Sequence, residues 1–75
     1  MPPPLTAQMI APSRVIARGR GIRDLQRLLD TYGGQTKRWI KKSSPVVSED
    51  GHDVEYHWYE HAGLGRFEIK RKIKS

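Results

Sequence analysis

The residues able to do proton chemistry are concentrated near the C-terminus. They are Glu55, His57, Tyr59 and His61 in the run VEYHWYEH, and Arg66, Glu68, Lys70 and Lys72 in the run RFEIKRKI. An imidazole exchanges a proton near neutral pH, a carboxylate can share that work, and fixed positive charge stabilises a developing phosphorane. Together these are the groups that cleavage of RNA by transesterification needs. A base draws the proton from a 2′-hydroxyl, an acid protonates the leaving 5′-oxygen, and cations hold the phosphate. His57 is the first candidate for base or acid, with Glu68 or Glu55 as the second proton-transfer group and Lys70 and Arg66 on the phosphate. His61 at a turn and His52 in a loop are weaker candidates. His57 and His61 lie four residues apart, which along a strand separates them by about 13 Å. No third ligand has fitting spacing, so neither a metal site nor a cofactor is expected.

Strand alternation must position these groups, because successive side chains point to opposite faces. A hairpin closed at Ala62-Gly63-Leu64-Gly65 puts Val54, Tyr56, Trp58, Phe67, Ile69 and Ile73 on one face. It puts Glu55, His57, Tyr59, His61, Arg66, Glu68, Lys70 and Lys72 on the other. Upstream, Ile22, Leu25, Leu28, Leu29 and Tyr32 recur at helical spacing, and Gly33-Gly34 supplies a stop. The spacing predicts a helix over residues 22–32. Gly19 and Gly21 each cost about 1 kcal/mol inside a helix, so residues 13–18 are expected as a separate short helix or a loose basic arm. Residues 35–39 make one more helical turn with Trp39 folded onto the core. Pro45 places Val46-Val47 on a short edge strand, and Asp50-Gly51 marks a turn. The sum is an α+β fold, with an N-terminal helix or helices packed on a small three- to four-stranded antiparallel sheet. Residues 1–20 read as an extended, proline-containing basic leader or linker, and residues 21–75 as a single domain.

Composition narrows the partners. Fourteen Lys and Arg against eight Asp and Glu give a net charge of +6, which favours a polyanion or an acidic protein. With 36% hydrophobic residues in 75, the core must be a thin layer. The absence of cysteine excludes disulfides and thiolate zinc sites. No apolar run approaches the ~20 residues of a membrane span, and the start lacks the pattern of a secretory signal, so no membrane insertion is expected of this segment. The basic residues form three sets, Arg14/Arg18/Arg20, Lys37/Arg38/Lys41/Lys42 and Arg66/Lys70/Arg71/Lys72/Lys74. The last two are expected to merge into one groove. Within it Lys41, Lys42, Arg66 and Lys72 would track the backbone, Ser43 would donate to a phosphate, and Tyr59 would stack on a base.

The order of helix, Tyr32-Gly33-Gly34, Trp39, Lys41-Lys42-Ser43-Ser44, Asp50-Gly51, His57-Trp58-Tyr59-Glu60 and Glu68-Ile69-Lys70 resembles a bacterial toxin family. It is similar to the C-terminal ribonuclease toxin modules of polymorphic and contact-dependent inhibition proteins, within the barnase, colicin and RelE-like superfamily. The resemblance runs from about residue 22 onward. It implies a metal-independent endoribonuclease with His57, Glu68 and Lys70 as its catalytic set, with transfer RNA one candidate substrate. It further implies delivery as part of a larger secreted or cell-surface toxin, action in the target-cell cytoplasm, and neutralisation by a cognate acidic immunity protein. The competing readings are a non-catalytic RNA- or DNA-binding module and a basic interaction domain for an acidic protein.

Overall fold

The computed structural model describes residues 5–74. The first residues of the expected proline-stiffened leader, 1–4, lie outside the described residues, as does Ser75. In chain order the elements are α1 (Ala7–Ile10), β1 (Arg14–Arg18), α2 (Leu25–Tyr32), β2 (Trp39–Ser43), β3 (Val47–Glu49), β4 (His52–His61) and β5 (Gly65–Ile73). Two 3-10 turns, Gly19–Gly21 and Thr36–Arg38, flank α2.

β4 is the centre of one antiparallel sheet. One edge pairs with β5 along nearly its whole length, from Val54↔Ile73 to His61↔Gly65. The other edge is shared: β2 takes residues 57–61, and β3 takes residues 52–54. β1 extends the sheet beyond β2. The ladder passes from β2 to β3 at Ser43-Ser44-Pro45, where proline breaks the strand. There Ser44 N–H donates to Tyr56 O at 2.8 Å, and Tyr56 N–H donates to Ser44 Oγ at 2.9 Å. The serine hydroxyl thus supplies an acceptor where the bent chain turns its carbonyl away, and both serines are fully buried.

The expected architecture is corrected here. The sheet has five strands rather than three or four, and strand accounts for 46% of the described residues against 26% for helix. The helices do not form an N-terminal layer ahead of a small sheet, since α2 is inserted between two neighbouring strands, β1 and β2. Residues 13–18, expected as a short helix or loose arm, supply β1 instead. Nor is one sheet face left polar. Val54, Tyr56 and Trp58 are buried with Leu5, Met9, Ile10, Val47 and Ile69 packed against them. Ile22, Leu28, Trp39 and Tyr59 form a second cluster on the other face with Ala17, Leu25, Leu29, Tyr32 and Phe67. The sheet is therefore covered by the N-terminal segment on one side and by α2 on the other.

Phe67 changes face because β5 carries a bulge. Tyr59 pairs with Phe67 and His57 with Lys70, so two β5 residues, Glu68 and Ile69, oppose Trp58. Glu68 takes a φ of 56°, left-handed backbone that a non-glycine residue adopts at a cost. The extra residue sends Phe67 under α2 while Ile69 stays with the Trp58 cluster. It also moves Arg66 to the Glu60 side, away from His57.

Where the sequence reading and the structure agree, the reasons are local. α2 ends at Gly33, whose N–H still donates to Leu29 O at 2.9 Å while its φ of 82° turns the following chain out of the helix. The helix begins three residues later than expected, because Ile22 is used in the core just before it. Trp39 is fully buried and donates its indole N–H to Gly33 O at 3.0 Å. Gly34 sits at φ 83°, and a Cβ there would lie 2.5 Å from His61 Nε2. Gly34→Ala should therefore cost about 2 kcal/mol or more, combining left-handed strain with a displaced imidazole. Gly63→Ala, whose Cβ would stay 3.6 Å from the same ring, should cost under about 1 kcal/mol. Urea unfolding of the two variants beside the parent checks the difference.

Candidate active site

α2 covers only part of its sheet face. The uncovered part is a cleft of about 390 Å³, floored by β2, β4 and β5 and walled by β1 and the segment leading into α2. His57, Glu68 and Lys70, the expected catalytic set, all line it, together with Lys41 and Lys72 from the expected binding set. Lys70 is the register partner of His57 across β4 and β5.

His57 is held by Glu55, with Nε2 3.0 Å from Glu55 Oε1. Glu55 is buried, and Ser43 Oγ lies 3.4 Å from the same oxygen. Arg14 at 3.6 Å and Lys74 at 3.9 Å complete its surroundings. The hydrogen bond to His57, reinforced by Lys74 and Arg14, holds the Glu55 carboxyl below the usual range against the opposing effect of burial. An ionised Glu55 can only accept, so Nε2 carries the proton and the lone pair of the neutral ring lies on Nδ1. Nδ1 is buried and makes no hydrogen bond with the described residues.

Glu68 reaches across to α2. Arg27 grips it with both guanidinium nitrogens, at 2.7 Å to Oε2 and 2.8 Å to Oε1, and Tyr32 Oη donates to Oε2 at 2.9 Å. The Arg27 hydrogen bonds hold its carboxyl low, helped by Tyr32 and by the charges of Arg27 and Lys70. With both oxygens occupied, Glu68 acts as a strut between helix and sheet and is poorly placed to shuttle protons.

The remaining expected site residues separate. Lys42 is paired with Trp58 and Arg66 with Glu60, which puts both on the opposite sheet face from His57. Arg66 Nε donates to Glu60 Oε1 at 3.0 Å. Ser43 is fully buried and donates its hydroxyl to Ser44 O at 2.9 Å, with Glu55 Oε1 further away at 3.4 Å. Tyr59 lines the cleft but is only 6% exposed, so its ring is core and offers no open face to a base. Its hydroxyl donates to Asp24 Oδ2 at 2.8 Å, and Lys41 Nζ lies 5.7 Å from its ring centroid. His61 is also buried, edge-on to Trp39, with its ring nitrogens 3.2 and 3.1 Å from the amides of Gln35 and Gly63. It fastens the hairpin turn to the loop after α2.

Sequence reasoning missed Asp24, Arg27 and Tyr32 as parts of this site, along with the apolar wall from Ile16, Ala17 and Ile22. One signal was present: three tyrosines and several arginines in a chain with few acids. Each tyrosine donates to a carboxylate that an arginine also holds. The sets are Tyr32–Glu68–Arg27, Tyr56–Glu49–Arg71 and Tyr59–Asp24–Arg27. Comparison with protein-family models, with curated proteins and with solved structures finds no match for this chain.

The tyrosine sets have a measurable consequence. Glu68 beside Tyr32 and Glu49 beside Tyr56 raise those phenols, and burial with Asp24 pushes Tyr59 up to about 12. Absorbance titration of the folded protein at 295 nm should therefore find every tyrosine ionising above the ordinary value of about 10. Stability from this source is complete below pH about 10 and is lost as pH rises through the folded values. On the acid side, Asp24, Glu49, Glu55 and Glu68 are all depressed. Their contribution is present above pH about 4 and is lost as pH falls through the folded values. Glu68→Gln should flatten that acid limb and lower stability at pH 7, as read by thermal unfolding across pH.

Proposed function

We propose that this chain is a metal-independent ribonuclease that cuts RNA by transesterification in the cleft beside α2. The observation that carries the reading is a cleft-lining imidazole, oriented by a buried carboxylate and set in register with a lysine. Glu55 keeps the proton on Nε2, so Nδ1 of His57 is the base for the 2′-hydroxyl. The 2′-oxygen attacks phosphorus, the bond to the 5′-oxygen breaks, and a 2′,3′-cyclic phosphate is left. Lys70 donates the proton to the departing oxygen, while Lys41 and Lys72 balance the charge on the phosphorane. Among the described residues none of these three lysines lies within 4.0 Å of a carboxylate, which leaves their charge for a ligand. The proposal includes the setting that the resemblance implies, a module of a larger delivered toxin whose acidic immunity protein neutralises it.

A second reading, a non-catalytic RNA- or DNA-binding module, is favoured by one observation: Nδ1 of His57 is buried. Total RNA incubated in chelator with the parent, His57→Ala and Glu55→Gln decides between them. The parent should release discrete fragments ending in cyclic phosphate, and His57→Ala should release none. Glu55→Gln, which no longer enforces the tautomer, should be slower by at least about 100-fold. Intact RNA in all lanes, with a shifted band on a native gel, would sink the ribonuclease reading and favour the binder.

A further inference from the structure

A carboxylate in the wall of an RNA cleft needs a reason, since it repels the phosphates that the lysines attract. Asp24 is such a group: it lines the cleft at the start of α2, with 41% of its side chain exposed. Its Oδ2 is fixed by Tyr59 Oη at 2.8 Å and by Arg27 Nη2 at 3.5 Å. Oδ1 accepts nothing from the described residues. The Tyr59 hydrogen bond and Arg27 keep the group ionised, and the charge of Lys70 acts on it too. An ionised carboxylate accepts hydrogen bonds and offers none. The wall of Ile16, Ala17 and Ile22 gives the cleft an apolar side against which a flat ring can lie. At about 390 Å³ the space is of small-ligand size and far too narrow for a duplex, so a base entering it is unpaired, the form in which RNA bases are usually read.

Resting on the reading of this cleft as an RNA site, we propose that Asp24 is a specificity-determining residue that selects an unpaired nucleobase bearing an exocyclic amino group. Cytosine presents its N4 amine, adenine its N6 amine, and guanine its N2 amine beside N1–H. Uracil has only N3–H between two carbonyl oxygens, and those oxygens face the carboxylate unfavourably. Carboxylates accept from the cytosine amine elsewhere in nucleic-acid recognition for the same reason. Tyr59, buried and hydrogen-bonded to Asp24, is the positioning residue that keeps the acceptor in place.

Cytidine and uridine have the same shape and differ only in the donor–acceptor edge, so they isolate this contact. The experiment compares an all-uridine oligoribonucleotide with the same oligomer carrying one central cytidine, measuring both affinity and cleavage. The parent should favour the cytidine oligomer by about 10-fold or more. Asp24→Asn keeps an oxygen for Tyr59 and removes no helix cap, since the Asp24 side chain makes no capping hydrogen bond, and should bring the ratio to one or below. Circular dichroism and the tyrosine titration report whether that variant is folded, and the parent's own ratio stands without it. Equal treatment of the two oligomers by the parent, or a preference that survives in folded Asp24→Asn, overturns the assignment alone. Failure of the parent to bind or cut either oligomer, or total RNA, overturns the assignment together with the RNA reading of the cleft.

Discussion

The grip of Arg27 and Tyr32 on Glu68 is the interaction on which the rest of the molecule depends. It occurs at the bulged residue of β5, where φ is 56°. Such backbone costs about 1–3 kcal/mol for a residue with a side chain, and a bidentate guanidinium–carboxylate pair is the strongest local compensation available to the chain. The bulge lets adjacent apolar residues serve opposite faces: Phe67 stacks on Tyr32 with ring centroids 4.2 Å apart, and Ile69 packs with Trp58. Releasing Glu68 would remove the polar tie between helix and strand and leave the bulge uncompensated, with only the apolar cluster of Leu28, Trp39 and Phe67 holding α2 on the sheet. The same residue sets the register that places Lys70 opposite His57.

The cleft is a consequence of unequal lengths. α2 has eight residues, about 12 Å of helix. β4 has ten, about 33 Å of strand. A helix that short cannot cover the face it packs on. It sits over Trp39, Tyr59 and Phe67, where large rings reward burial, and leaves the His57 end open. The opposite face is closed by Leu5, Met9 and Ile10. Those residues lie in a stretch that looks like a linker because prolines flank it, yet without them Trp58 and Tyr56 would face water.

Elements with local punctuation were legible in the sequence. The helix with its Gly33 stop, the Asp50-Gly51 and Ala62–Gly65 turns, and the burial of Trp39 all follow from residues close together in the chain. β1 and β2 were not. Arg14, Arg18, Lys41 and Lys42 give these strands a solvated look, and their burial comes from neighbours supplied by distant parts of the chain. Face assignment failed beyond the bulge, because strict alternation cannot anticipate one inserted residue. Of the site, the meeting of His57, Glu68, Lys70 and Lys72 was legible by alternation along β4 and β5, and Lys41 only as part of a basic run expected to lie beside them. The consumption of Glu68 by α2, and the entry of Asp24, depend on where the helix lands.

The charges are divided between arginine and lysine in a way that bears on function. Four of the eight arginines, Arg14, Arg27, Arg66 and Arg71, are engaged with Glu55, Glu68, Glu60 and Glu49, while among the described residues Arg18, Arg20, Arg23 and Arg38 lie within 4.0 Å of no carboxylate. Among the described residues Lys74, at 3.9 Å from Glu55, is the one lysine that comes within 4.0 Å of a carboxylate. Arginine's planar fork suits fixed, partly buried pairs, whereas the lysine ammonium is a compact charge on a flexible stem. Most of the acids are spent on the arginines that tie the structure together, so the surplus of +6 resides largely on side chains free to follow a ligand. In the cleft these are Lys41, Lys70 and Lys72, arranged around an imidazole. A chain that had used its lysines for internal pairs would hold the same net charge and a far weaker field at His57.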